Sequence, residues 1–447
     1  MSLINSTAIP SGATGYEIEQ SLRFNTGDSP SLSRTPASAS NRRTYTLSAW
    51  VKRTGLSHSS KQVSLLEAWD DTNNFTRIII ESDNKLQILS RVGNQNKIYL
   101  QVANLFRDVS AWYHIVVAID TTNGTANNRA RIYVNGVESE VSGRVNPDQN
   151  YDSHINSTTA LYIGKTTETT LDGYLAEVNF IDGAQKAPAD FGETGDYGEW
   201  KPIEYEGTYG TNGFYLDFSN SGALGTDSSG NSNTWTPNNL AATDQMLDSP
   251  TNNFCTLNPL ALGADGTLSE GNLKLIYGTS GTRTTTTATM GFASGKWYWE
   301  VAVNHNGGEL IGITNISDYT GTYPGQASGS WGYYSDDGQK YVEGTASNYG
   351  ASYTAGDIIS FALDMDNGTL VAYKNNSSQG TLASSLTGDI YPAIGDGAGT
   401  GTTNNVYNFG QDSSFAGNKT AQGNTDGNSI GDFYYAPPTG FLALCTS

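Results

Sequence analysis

The sequence predicts an all-β protein, two antiparallel β-sandwiches joined by an irregular connector. Three observations lead there. Apolar side chains recur at every second position through much of the chain, the period of a strand with one face buried. Asn-Gly, Asp-Asn and Asp-Asn-Gly steps separate these runs and supply the positive φ that tight hairpins need. The composition disfavours helices, since 51 of 447 residues are glycine and only 15% are charged. Polarity comes instead from Asn, Ser and Thr, which compete with helical hydrogen bonding and prefer turns.

The first sandwich is expected over residues 16–183, after a short polar arm at 1–15. Tyr16, Ile18, Leu22 and Phe24 share one face of an extended segment. Tyr45, Leu47, Ala49 and Val51 share a face of another, with Trp50 opposite. The apolar runs 78–80 and 86–89 flank Asp83-Asn84, a hairpin turn. The run AWYHIVVAID at 111–120 is of the kind buried in a sandwich core. Residues 130–134 lead into Asn135-Gly136, a pair suited to a type I′ turn, and runs 161–164 and 174–181 supply two more strands. The ordered series SLRF, YTLSAWVKR, WYHIVVAID, ARIYVNG, LYIGK and GYLAEVNFIDG resembles a laminin-G-like domain of the concanavalin A-like jelly-roll class.

Residues 184–250 change character. Pro188, Pro202, Pro237 and Pro250 stand among Gly, Asp and Asn, and strand signals are sparse. The stretch 214–235 resembles the opening strand and loop of another laminin-G-like unit, but no room follows for the rest of one. The expectation is a connector with one strand packed on a neighbour.

The second sandwich is expected over 251–447. Trp297, Trp299, Val301 and Val303 alternate with Tyr298, Glu300 and Ala302, and the runs 358–365 and 369–373 are joined through Asp366-Asn367-Gly368. The ordered pieces GKWYWEV, WGYYSDDGQKY, AGDIISFALDMDNGTLVAYKNN, YPAIGD and YNFG resemble a SPRY domain, Gly356-Asp357 being the most distinctive element. Asn375-Asn376 stands where many SPRY sequences have Asn-Gly, a change the turn tolerates because Asn also visits positive φ. Trp50, Trp112, Trp297 and Trp299 are read as core. Cys255 and Cys445 bracket this sandwich, and both a bridge and two buried thiols remain open for them.

Charge bounds the partners. With 24 Lys+Arg against 44 Asp+Glu the formal net charge is −20, which gives nucleic acid no electrostatic footing. No apolar run approaches the length of a membrane helix. The chain opens without a basic segment followed by an apolar one, so no secretory signal is expected. The pairing of the two modules resembles virion proteins of tailed phages. That resemblance implies a tail fibre, appendage or capsid decoration at the virion surface. Its partners would be other virion proteins and a host-surface glycan or protein, and homo-oligomers would be compatible with the role. The alternative is a bacterial cell-surface lectin or adhesin, followed by a glycan hydrolase.

Catalytic signatures are missing from the sequence. The four histidines (His58, His114, His154, His305) have no metal-ligand spacing, and His114 reads as a satisfied core residue. Glu17/Glu19, Glu138/Glu140 and Glu204/Glu206 lack the intervening acid of sandwich β-glucanases and read as solvated strand edges. The run Gly395, Gly397, Gly399, Gly401 reads as a mobile loop. A non-enzymatic protein with no cofactor is expected. Calcium is the alternative for the oxygen-rich loops at Asp70, Asp71, Asn73 and Asp120, with turn chemistry preferred. Ligand-contact candidates are Trp69 and the tyrosines Tyr319, Tyr323, Tyr349 and Tyr353, which fall in two loops (319–330 and 346–353) of paratope-like composition.

Overall fold

Period-two alternation becomes a pair of stacked sheets in each half of the chain. The computed structural model describes residues 15–56, 63–167, 169–278, 283–305, 307–316, 319–320, 322–397 and 403–447. Except for Gly15, the expected N-terminal arm lies outside the described residues, as do His58, Gly399 and Gly401. The chain divides into two units with the boundary between Thr251 and Asn252.

In the first unit one sheet runs in the order Val137–Glu138, Ala130–Val134, Trp112–Asp120, Thr44–Arg53, Gly173–Asp182, Ser21–Phe24 and Gln245–Met246, with Phe214–Leu216 also paired to Gly173–Asp182. The other runs Val141–Val145, Gln95–Val102, Leu86–Val92, Asn74–Ile80, Val63–Asp71, Leu161–Ile163, Ser31–Arg34 and Thr236–Asn238. Alternate residues point between the sheets. Leu47, Ala49, Val51, Ile115, Val117 and Leu175 from the first meet Leu66, Ile78, Ile80, Ile88 and Leu100 from the second in one buried core. The turns follow the expected chemistry. Asn135 and Gly136 have φ of 47° and 81°, and Asn84 has φ of 65°. Gly136 has a second constraint, because a Cβ there would lie 2.4 Å from the Trp200 ring.

Segment 184–250 differs from the expected connector. It contributes the strands Phe214–Leu216, Thr236–Asn238 and Gln245–Met246 to the two sheets. It also forms a hairpin, Gly192–Thr194 with Trp200–Pro202. Part of it covers the outer face of the first sheet, where Val116 and Ile181 are buried against Phe191 and Tyr205 as a second small core. The physical reason lies in the apparently two-sided strands: Ser48, Trp50 and Lys52, alternating with core residues, are all buried. A sheet whose outer face carries indole and ammonium groups out of water needs another layer to pack and pair them.

The second unit repeats the sandwich. One sheet has the order Gly266–Ser269, Lys274–Tyr277, Asn404–Asn408, Lys296–Ala302, Ile358–Asp364, Thr369–Lys374 and Ser377–Ala383. The other has Thr284–Thr287, Tyr391–Asp396, Glu309–Thr314, Ser330–Tyr334, Gln339–Val342 and Thr345–Asn348. Trp299 is fully buried and stacks on Phe361 at 5.2 Å. Trp297, expected in the core, is only half-buried; it stacks on Phe292 at 4.0 Å and its indole N–H donates to the Ser294 carbonyl. Asn375 and Asn376, at φ of 48° and 66°, make the expected turn. Gly395, expected in a mobile loop, lies in a strand. Cys255 and Cys445 are buried thiols, and the Cys255 N–H donates to the Leu444 carbonyl beside the Phe254–Cys445 bridge.

On the outer face of the first sheet Lys52 and Asp248 form an ion pair, 2.6 Å long with both side chains no more than 1% exposed. Replacing Asp248 by Ala leaves the Lys52 ammonium buried without this counter-charge. Asp248→Ala is expected to destabilise the first unit by about 3–5 kcal/mol, read as a lowered urea midpoint; Lys52→Met/Asp248→Leu should recover much of the loss.

Candidate functional site

Two buried polar centres lie on the outer face of the first sheet. At the first, His114 is 1% exposed, stacked on Trp50 at 4.8 Å and on Trp200 at 6.0 Å. The Trp200 indole N–H donates to His114 Nδ1 at 2.9 Å, so Nδ1 is an acceptor. The proton must then sit on Nε2, which lies 2.8 Å from Ser48 Oγ. Burial pushes the imidazole down to about 3. His114 is thus the satisfied core histidine expected, held by a tryptophan from the covering segment.

The second centre was invisible in the sequence. Glu177 sits where the pairing of Gly173–Asp182 with Thr44–Arg53 slips, and has φ of 52°. An irregularity of this kind re-aims a side chain and carries local strain. Tyr16 and Tyr215 donate their hydroxyls to its two carboxylate oxygens at 2.9 and 2.8 Å, and the two hydroxyls are 2.9 Å apart. Burial raises Glu177 to about 7 against the opposing pull of those hydrogen bonds. No pattern at 177 marks the carboxylate, because its partners are 161 and 38 residues away.

The acidic loops are organised as turns. Asp71 accepts from the Asn73 amide at 2.7 Å and from Asn74 Nδ2 at 2.9 and 3.0 Å. Asp120 accepts from the Thr122 amide and hydroxyl at 3.0 and 2.6 Å. Asp70 and Asn73 are exposed in the first of these turns. No group of three or more His, Cys, Asp or Glu is arranged for a metal ion among the described residues. Trp69 is half-buried and stacks on Phe75 at 5.5 Å, while Arg77 and Arg91 lie over the Phe75 ring at 5.2 and 5.7 Å. The pairs Glu17/Glu19, Glu138/Glu140 and Glu204/Glu206 are all exposed.

In the second unit the candidate tyrosines turn inward. Tyr323 is 7% and Tyr353 2% exposed, so neither presents a ring to solvent as expected. Tyr353 donates to the Tyr333 carbonyl at 2.8 Å, and Tyr323 packs edge-on against Tyr341 while hydrogen-bonded to Gln326. Tyr349 and Tyr319 are half-buried. Tyr349 donates to the Gly380 carbonyl at 2.6 Å and packs on Tyr333, and the Tyr319 hydroxyl lies 3.1 Å from Thr322 Oγ1. The expected loop at 346–353 is partly a strand, Thr345–Asn348. These rings are large apolar bodies with one polar tip, and burying them with the hydroxyl on a carbonyl satisfies both.

Gly356-Asp357 forms a local clamp. Asp357 accepts from the Thr354 amide, Asn375 Nδ2 and the Lys374 ammonium at 2.9, 2.7 and 3.1 Å. Glu300 is fully buried; its two oxygens accept the Tyr434 and Tyr435 amides, each at 2.8 Å. Burial pushes Glu300 up to about 7 and Glu309, hydrogen-bonded to Asn405, to about 8.

The family comparisons agree with this geometry. Residues 25–188 match the concanavalin A-like lectin/glucanases superfamily, and residues 296–409 match the SPRY domain. The chain carries a concanavalin A-like domain followed by a SPRY domain. Among solved structures, the SPRY domain of human HERC1 is 20% identical with a TM-score of 0.30, covering 34% of this chain and 96% of that one. Stonustoxin is 24% identical with a TM-score of 0.30, covering 34% and 27%, and the TRIM65 PSpry domain is 20% identical with a TM-score of 0.28, covering 34% and 89%. No curated protein matches the sequence.

The two buried groups of the concanavalin A-like domain respond to pH in opposite senses. Glu177 is raised in the fold, so its proton is retained where the unfolded chain has lost it. Its effect is a loss of stability as pH rises from 4.5 to about 7. In Glu177→Gln the fall in unfolding free energy over that window should disappear, leaving a flat profile between pH 4.5 and about 7. His114 is depressed, so stability is lost as pH falls from 6.5 towards 3. In His114→Gln the acid-side slope of the unfolding free energy should flatten over that window, while the neutral-pH stability drops through lost stacking.

Proposed function

We propose that this chain is a non-enzymatic surface protein of a tailed-phage virion, a tail fibre, appendage or capsid decoration that displays its two domains for recognition of a host-surface glycan or protein. The observation that carries the reading is the succession of two recognition-type sandwiches in one acidic chain. A net charge of −20 suits an outward-facing, soluble surface. The non-enzymatic reading is supported by where the carboxylates lie. Glu177 and Glu300 are committed to tyrosine hydroxyls and backbone amides, and the closely spaced pairs Glu17/Glu19 and Glu204/Glu206 are exposed. Retaining and inverting glycosidases alike need two carboxyl groups on either side of one bond.

The test is competition. Purified chain added to host cells should adsorb to them and reduce plaque formation by the parent phage, and gold-labelled antibody should decorate the particle. Label confined to a bacterial envelope would replace the virion reading with the adhesin. Release of reducing sugar from host polysaccharide would overturn the non-enzymatic one.

A further inference from the structure

A groove of about 580 Å³ opens at one edge of the concanavalin A-like domain, beside the end strand Val137–Glu138 of the first sheet. Its floor is apolar, made by Phe106, Tyr113 and Val134. Phe106 is 1% exposed and packs edge-on against Tyr113 at 5.0 Å, and the Tyr113 hydroxyl is held by the Asp108 amide at 3.0 Å. At the lip, Leu105 is 44% and Val137 70% exposed, two of the most exposed large apolar residues of the domain. Apolar surface left open beside a formed groove is a mark of an interaction site.

The rest of the lining is polar. Asn104, Asn135, Ser139, Glu138 and Glu140 supply amide, hydroxyl and carboxylate groups, and among the described residues no cationic side chain lines the groove. Asn135 Oδ1 already accepts the His114 amide at 2.8 Å, which leaves its NH₂ as a donor. Glu138 is partly neutralised by Arg131 at 3.8 Å. The Glu140 carboxylate makes no hydrogen bond or ion pair among the described residues. A ligand for this surface must present an apolar face to the floor and several hydrogen-bond donors to the acceptor-rich wall. It cannot be anionic, and a single uncompensated carboxylate gives a cationic peptide little purchase. The CH face and the hydroxyl edge of a pyranose ring meet both requirements.

From this lining we infer that the edge groove between Leu105 and Val137 is a binding site for a neutral saccharide. The inference rests on the recognition reading above and deepens it. The test uses the full chain on an array of neutral oligosaccharides, followed by calorimetry with the best one. Val137→Arg places a bulky cation on the exposed lip, so the fold is retained, and it should weaken binding by about tenfold or more. Tyr197→Ala, an exposed aromatic elsewhere on the domain, should leave affinity unchanged. Wild-type affinity should be the same at about 0.05 and 0.5 M NaCl, since a neutral ligand is not screened. Saccharide binding untouched by Val137→Arg overturns this groove while leaving recognition intact. So does host-cell adsorption by a chain that binds no saccharide, or salt-sensitive capture of a Lys-rich peptide in its place. Failure of both adsorption and saccharide binding removes the recognition reading itself.

Discussion

The concanavalin A-like domain depends on covering a sheet that is polar on its outer side. Lys52 and Asp248 form an ion pair with both side chains out of water, and the Trp112 indole N–H donates to the same carboxylate at 3.0 Å. Isolated buried charges are among the most costly groups a protein can hold, so Asp248 must be brought to Lys52 whenever the sheet folds. The requirement spans 196 residues. It explains why a Pro- and Gly-rich segment with few strand signals is ordered: Trp200 caps His114, Tyr215 binds Glu177, and Asp244 pairs with Arg23 at 3.2 Å. Each contact gives a buried polar group of the sheet a hydrogen-bond or charge partner.

The SPRY domain uses the same device with a different segment. Tyr298 and Glu300 alternate with core residues Trp299 and Val301, which puts a phenol and a carboxylate on the outer face. The chain near its end returns over them, with Phe433 edge-on to Tyr298 at 5.2 Å and two successive amides on Glu300. Residues just beyond continue the sheet, since the Tyr298 amide donates to Leu442 and the Leu442 amide to Lys296. In both domains a segment of low strand content donates to a buried acid of the sheet, Tyr215 to Glu177 in the first and the Tyr434 and Tyr435 amides to Glu300 in the second. The edge groove of the first domain, beside Val137–Glu138, is a place these coverings leave open.

Reading by period and turn worked wherever a strand has one face in the core and the other in water. The hairpins at Asn135-Gly136 and Asn375-Asn376 were legible because positive φ is a local property of two residues. The same method failed at Trp297, which alternates correctly with Tyr298 yet lies at a strand end, half-buried and stacked on Phe292. It failed for Tyr323 and Tyr353, because loop-like sequence says nothing about which way a ring turns. Segment 184–250 is opaque at the level of sequence for a related reason. Its strands are three residues or fewer, too short to show a period.

By itself the sequence determined the β class, the two sandwiches, the main hairpins and a net charge of −20, since all of these follow from local propensity, alternation and summed charge. Only the tertiary structure decided what covers each sheet, where Glu177 and Glu300 find their hydrogen bonds, which aromatics are buried and where a groove stays open. Those depend on pairs of residues tens to hundreds of positions apart, and no local pattern encodes the meeting of Lys52 with Asp248.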